Sequence, residues 1–217
     1  MKIISKFTRI LAVFCLLGSM ANALEEGKEY QILQKPLDVP KNSVVKVFSY
    51  ECPHCYKFDK TVTPKLFSEL DGVKFIPYHL KTKGKLGETA SKIFAVLAVM
   101  DEEKGVSLLD ENSLFKKAKF AYYKAYHDQK QRWSDGKDEA AFLKTGLDAA
   151  GISEADYQKK LEDPKVAELL KKWDESYDVA KIQGVPAFVV NGKYLIMTKS
   201  ISSIDGMAQL VEELLKK

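Results

Sequence analysis

The tetrapeptide Cys52-Pro53-His54-Cys55 constrains the chain more than any other stretch. It follows Ser43 to Tyr50, SVVKVFSY, whose β-branched and aromatic run has the composition of a buried strand. Pro53 suits the first turn of a helix, where its missing N–H costs nothing. Beyond it Phe58, Val62, Leu66, Phe67 and Leu70 recur at helical spacing, so one helix is expected to run to Asp71-Gly72. Val73 to Leu80 then reads as a second central strand. The cysteine pair therefore sits where a buried strand feeds a helix inside a β–α–β unit.

The flanking sequence places this unit within a larger order. Glu29 to Leu33 is expected to form a short leading strand. The middle of the chain carries helical periodicity over Thr89–Glu103, Ser113–Asp128, Glu139–Ala150, Ser153–Leu161 and Pro164–Lys181. The aromatics of the second of these, Phe115, Phe120, Tyr122, Tyr123 and Tyr126, read as core and not as a cofactor box. Strand character returns at Pro186–Val190. Asn191-Gly192 is a strong hairpin signal, Lys193–Met197 pairs back, and Ser203–Leu215 closes the chain as a helix. A β–α–β half and a β–β–α half are thus interrupted by about five helices.

The N-terminus has the pattern of an export signal: Lys2, Lys6 and Arg9, an apolar stretch from Ile10 to Gly18, and the small-x-small sequence Ala21-Asn22-Ala23. Cleavage is expected near Leu24, and the apolar stretch is too short to span a membrane. The three basic residues leave with residues 1–23, which takes the formal charge from +4 to +1. A charge of +1 supports no general nucleic-acid or membrane-surface role. Cys15 leaves too, so the mature 194 residues (217 less 23) keep Cys52 and Cys55 alone, which excludes a disulfide-stapled scaffold. One close cysteine pair in an exported chain points to redox work.

At a helix start, two intervening residues let the two sulfurs close a small ring. The free N–H groups and dipole of the helix favour a thiolate on Cys52, and a protonated His54 would add to this. Stabilising that thiolate stabilises the reduced form and makes the disulfide a stronger oxidant. Cys55, one turn deeper, is expected to be shielded. Structural zinc would need four ligands, and only His54, His79 and His127 accompany the two cysteines. Covalent haem attachment would need His, not Tyr56, after the second cysteine. A structural staple would close too short a loop to be useful. No metal or cofactor is expected. Gly184-Val185-Pro186 precedes the last strand pair. A cis Val185–Pro186 bond there would expose the Val185 backbone to an extended substrate, and an ordinary trans proline opening a strand is the alternative. Asp59 lies four residues after Cys55 on the same helix face. It could exchange protons with Cys55, or be a solvated acid paired with Lys60 or Thr63.

Taken together, FSYECPHCYKF, VKFIPYHL, the helical insertion and GVPAFVVNGKY resemble the DsbA family over essentially the whole mature chain. FKKAKFAYYKAYHD, RWSDGKD and SYDVAKIQGVPAFVVNGKYLI are similar to its DsbL branch. The resemblance implies an α/β thioredoxin fold over 24–82 and 183–217 with an inserted helical domain over 83–182. It implies a periplasmic dithiol oxidase with Cys52 as nucleophile, Cys55 as buried partner, Pro186 in cis and a buried acid at Asp59. Implied partners are reduced client proteins, among them an arylsulfate sulfotransferase, and a DsbB- or DsbI-like membrane re-oxidant. Two positions depart from the pattern: His54 is the DsbA choice where DsbL has Phe, and Lys46 stands where DsbA carries an acid. An isomerase or reductase is the nearest alternative, but no dimerisation segment is visible before Lys28 and a monomer is expected. A client-binding module without redox turnover, or a metal-binding module, are alternatives of another class.

Overall fold

The computed structural model describes residues 24–217, so the export signal expected over 1–23 lies outside the described residues. Five strands, β1 (Tyr30–Ile32), β2 (Ser43–Phe48), β3 (Lys74–His79), β4 (Ala187–Val190) and β5 (Tyr194–Ile196), form one sheet in the order β1-β5-β4-β2-β3. β2 and β3 are parallel and all other neighbours antiparallel. β2 is central, and all six of its residues are buried.

Alternation along β2 divides the core in two. Val44 faces α1 (Pro53–Thr61), α2 (Thr63–Glu69) and the C-terminal helix, packing with Leu66, Phe188, Met207 and Val211. Val45 and Val47 face the opposite way, into a larger cluster with Phe94, Phe115, Tyr122 and Trp173. That second cluster belongs to six helices that lie between β3 and β4 in the chain: α3 (Gly87–Glu103), α4 (Leu114–Tyr123), α5 (Glu139–Ala150), α6 (Glu154–Leu161), α7 (Pro164–Trp173) and α8 (Ser176–Gln183). α9 (Ile204–Leu215) closes the chain. This is the thioredoxin-like α/β architecture interrupted by helices.

Three local differences from the periodicity have physical causes. The helix expected from Pro53 to Leu70 is two, α1 and α2, joined at Val62. Pro64 has no N–H to continue the first helix, and its ring crowds the preceding turn. The helix expected over Pro164–Lys181 breaks at Asp174-Glu175 into α7 and α8. The helix expected to reach Asp128 ends as α4 at Tyr123 and continues as one wide π turn, Lys124–Asp128. Asn191 and Gly192 both have positive φ, 49° and 67°, which is the conformation a two-residue hairpin needs.

One feature carries no periodic signal. Trp133, Ser134 and Asp135 have φ of 46°, 52° and 58°, a left-handed turn completed by Gly136. Each non-glycine residue there costs about 1–2 kcal/mol. The Trp133 ring offsets this: it is buried against Tyr50, Tyr122 and Phe142, and its indole N–H donates to Thr145 at 3.2 Å.

Candidate active site

The site begins at the end of β2. Cys52 caps α1 with extended backbone (φ −89°, ψ 111°), and Pro53 occupies the first turn. The Cys52 sulfur therefore stands where the helix leaves N–H groups unpaired. It accepts the Cys55 backbone N–H at 3.1 Å. Both cysteines are free thiols, Cys52 2% exposed and Cys55 0%.

The environment separates the two thiols. The Cys52 thiol is lowered from 9.0 to about 7, chiefly by the hydrogen bond from the Cys55 thiol. Burial opposes this. The Cys55 backbone N–H, the charge of Lys83 and the His54 backbone N–H add to it. Cys55 moves the other way: burial, then its bond to Cys52, pushes its thiol well above 9.0. His54 is exposed, and the group that acts on Cys52 is its main-chain N–H.

The second element that reaches the sulfur comes from 133 residues later in the chain. The Val185–Pro186 peptide bond is cis, and the Val185 carbonyl accepts from the Cys52 thiol at 3.2 Å. Gly184 sets up this segment with φ 80° and ψ −160°, a region open to glycine and costly for any residue with a Cβ.

Beneath Cys55 lies a buried charge cluster. Asp59, 3% exposed, faces inward from α1 one turn beyond Cys55. Its Oδ1 accepts from Lys46 Nζ of β2 at 2.6 Å and pairs with Lys119 Nζ of α4 at 3.2 Å. Its Oδ2 accepts the Tyr123 hydroxyl at 2.9 Å, and Lys46 also donates to Thr63 Oγ1 at 2.9 Å. Burial alone would raise the Asp59 carboxyl, but the charges of Lys119 and Lys46 outweigh it and bring the group down to about 2. Lys119 is lowered to about 8 by burial, only partly opposed by Asp59. Of the two readings of Asp59, the buried one describes its surroundings: it is neither solvated nor paired with Lys60, and at neutral pH it is an ionised carboxylate held by Lys46, Lys119 and Tyr123.

Lys119 and Tyr123 were not foreseen. A signal was available: Lys119 shares the buried face of α4 with Phe115, Ala118 and Tyr122, a charged residue inside an apolar stripe. Of the other histidines, His79 is buried in the aromatic core against Phe48 and Phe94, where burial lowers it to about 3. His127 stacks on Tyr56. Among the described residues no group of three or more His, Cys, Asp or Glu side chains is placed to hold a metal.

Residues 43–214 match the family model described as a DSBA-like thioredoxin domain. The chain belongs to this family. It is 59% identical to the thiol:disulfide interchange protein DsbL of Escherichia coli O6:H1, over 98% of this chain and 97% of that protein. It stands in the same relation to the DsbL of Klebsiella pneumoniae. The crystal structure of Salmonella enterica serovar Typhimurium DsbL superposes with a TM-score of 0.88 at 60% identity, covering 91% of this chain and all of that one. With that family membership the protein is a thiol:disulfide oxidoreductase acting on client proteins.

Proposed function

We propose that the protein donates a Cys52–Cys55 disulfide to reduced, exported clients in the periplasm. The observation that carries this reading is the opposite displacement of the two thiols. A sulfur at a helix N-terminus with a lowered pKa is a good leaving group, and a buried partner is kept from competing for the client. A client thiolate attacks Cys52 Sγ, Cys55 departs with the electron pair, and a mixed disulfide forms. The client's second thiol attacks its own sulfur in that bond, and Cys52 leaves as the stabilised thiolate. The client is oxidised and the cysteine pair reduced.

Pro53 opens the helix without an unpaired donor, and the main-chain N–H groups of His54 and Cys55 hold the charge on Cys52. Val185 and Pro186 place main-chain groups beside the sulfur, where an extended client segment would pair. Asp59 supports proton movement at Cys55 indirectly, by fixing two ammonium groups beneath it. Residues 24–82 and 183–217 form the thioredoxin-like domain and 83–182 the helical insertion. Likeness to DsbL proteins supports an arylsulfate sulfotransferase as a client and a DsbB- or DsbI-like membrane protein as re-oxidant. Removal of residues 1–23 as an export signal fits the same setting.

Cys52→Ser is expected to abolish oxidation of a reduced client peptide. Cys55→Ser is expected to accumulate adducts linked through Cys52, seen by mass spectrometry. Activity retained in the first variant, or no adduct in the second, would overturn the assignment.

A further inference from the structure

The charges below Cys55 do not balance. Lys46 is 0% exposed, Asp59 3% and Lys119 2%, so water screens none of them. Two ammonium groups share one carboxylate, and both lean on the same oxygen, Oδ1. Among the described residues the remaining neighbours supply no second anion: Thr63 of α2 and Tyr123 of α4 are neutral, and Phe48, Phe115 and Phe188 surround the lysines. Lys116, the other charged group of α4 that acts on Lys119, is a cation. A buried charge without a partner is costly, by several kcal/mol in typical cases. A carboxylate left as the minority partner of two cations is therefore waiting for another anion.

The reaction cycle supplies one. When a client attacks Cys52, the bond between the two sulfurs breaks and its electron pair passes to Cys55. That sulfur lies one helical turn from Asp59, whose carboxylate Lys46 holds, and the charge of Lys46 favours its ionised form. We propose that Lys119 supplies the surplus positive charge that, through Lys46 and Asp59, stabilises Cys55 as the leaving thiolate in the first step of client oxidation. This rests on the donor reading above. The new client-sulfur-to-Cys52 bond replaces the Cys52–Cys55 bond; the client thiolate is oxidised to a mixed disulfide and Cys55 is reduced. The thiolate of Cys55 brings the cluster to neutrality until it takes a proton from solvent. Lys119 is a positioning residue, since it faces Asp59 and not the sulfur.

Because Lys119 titrates near 8, its charge is present at neutral pH and is lost as pH rises. The oxidised protein should therefore react with a client thiolate more slowly above that point. The experiment is stopped-flow single-turnover oxidation of a reduced two-cysteine peptide, with rates expressed per peptide thiolate, for wild type, Lys119→Gln and Lys119→Met over pH 6 to 9.5. An opposite charge in direct reach shifts a pKa by about 1–3 units. Lys119 acts through Asp59 and Lys46, so its removal takes the low end, about 1 unit. With a Brønsted sensitivity of about 0.5, the variants should be slower by about 3-fold at pH 7. The wild-type rate should fall through about pH 8 and the variants should show no such step. The alkylation profile of Cys52 in the reduced variants should stay close to wild type. If the variants do not fold, the wild-type profile decides: a flat rate per thiolate across pH 8 overturns the inference. Equal rates in folded variants overturn it as well. Failure of wild type to oxidise the peptide at any pH would instead sink the donor reading.

Discussion

Lowering the Cys52 thiol from 9.0 to about 7 has a consequence for stability that can be measured without any client. The perturbation is Cys52→Ser in the reduced protein, compared with wild type at pH 6 and pH 8. A group whose pKa is depressed by folding stabilises the fold fully above its unfolded value, and that contribution disappears as pH falls through the folded value. The window here runs from about 9 down to about 7. At pH 8 the folded thiol is mostly ionised and the unfolded one mostly not, which is worth about 1.4 kcal/mol. At pH 6 both are protonated and the contribution is below about 0.1 kcal/mol. Cys55 does not disturb the comparison, because its raised value keeps it protonated in the fold throughout this range. Urea unfolding with a phosphine reductant at both pH values isolates the effect. The stability difference between wild type and variant should grow in favour of wild type by about 1.3 kcal/mol from pH 6 to pH 8. No change, or a change of opposite sign, would refute the claim that the fold stabilises the Cys52 thiolate.

Other perturbations test the surroundings. Asp59→Asn leaves two buried ammonium groups without a counter-charge and should destabilise the protein by about 3–5 kcal/mol in a denaturant melt. Gly184→Ala meets no atom within 4 Å. Its expected cost of about 1–3 kcal/mol therefore comes wholly from forcing a Cβ into the φ 80°, ψ −160° conformation. Ser134→Gly, in the exposed left-handed turn, should raise thermal stability by about 0.5–1 kcal/mol, since relief of strain exceeds the added chain entropy.

Much of this architecture was legible because local chemistry and tertiary packing agree. SVVKVF can satisfy its β preference only as a buried strand, and it is the central one. Asn191-Gly192 tolerates the two positive φ values its hairpin requires. What escaped depends on contacts distant in sequence. The split at Val62 follows from Pro64 and could have been read. The left-handed turn at Trp133 persists only because Tyr50, Tyr122 and Phe142 hold the indole. In the site, the cysteine motif and the 184–186 segment were readable as parts, but not the 3.2 Å contact that joins them. Lys46 stood out within its strand. Its meaning required Lys119 and Tyr123, which α4 brings across from the helical insertion to share the carboxylate of Asp59.

The central claim is that this fold makes the cysteine pair a disulfide donor, and its equilibrium reduction potential tests that directly. Wild-type protein would be equilibrated in glutathione buffers of graded ratio and the reduced fraction followed by thiol alkylation. A potential well above the roughly −270 mV of thioredoxin is the predicted result. A value at or below that figure would mean that Cys52 is not stabilised as a thiolate, and would contradict the account.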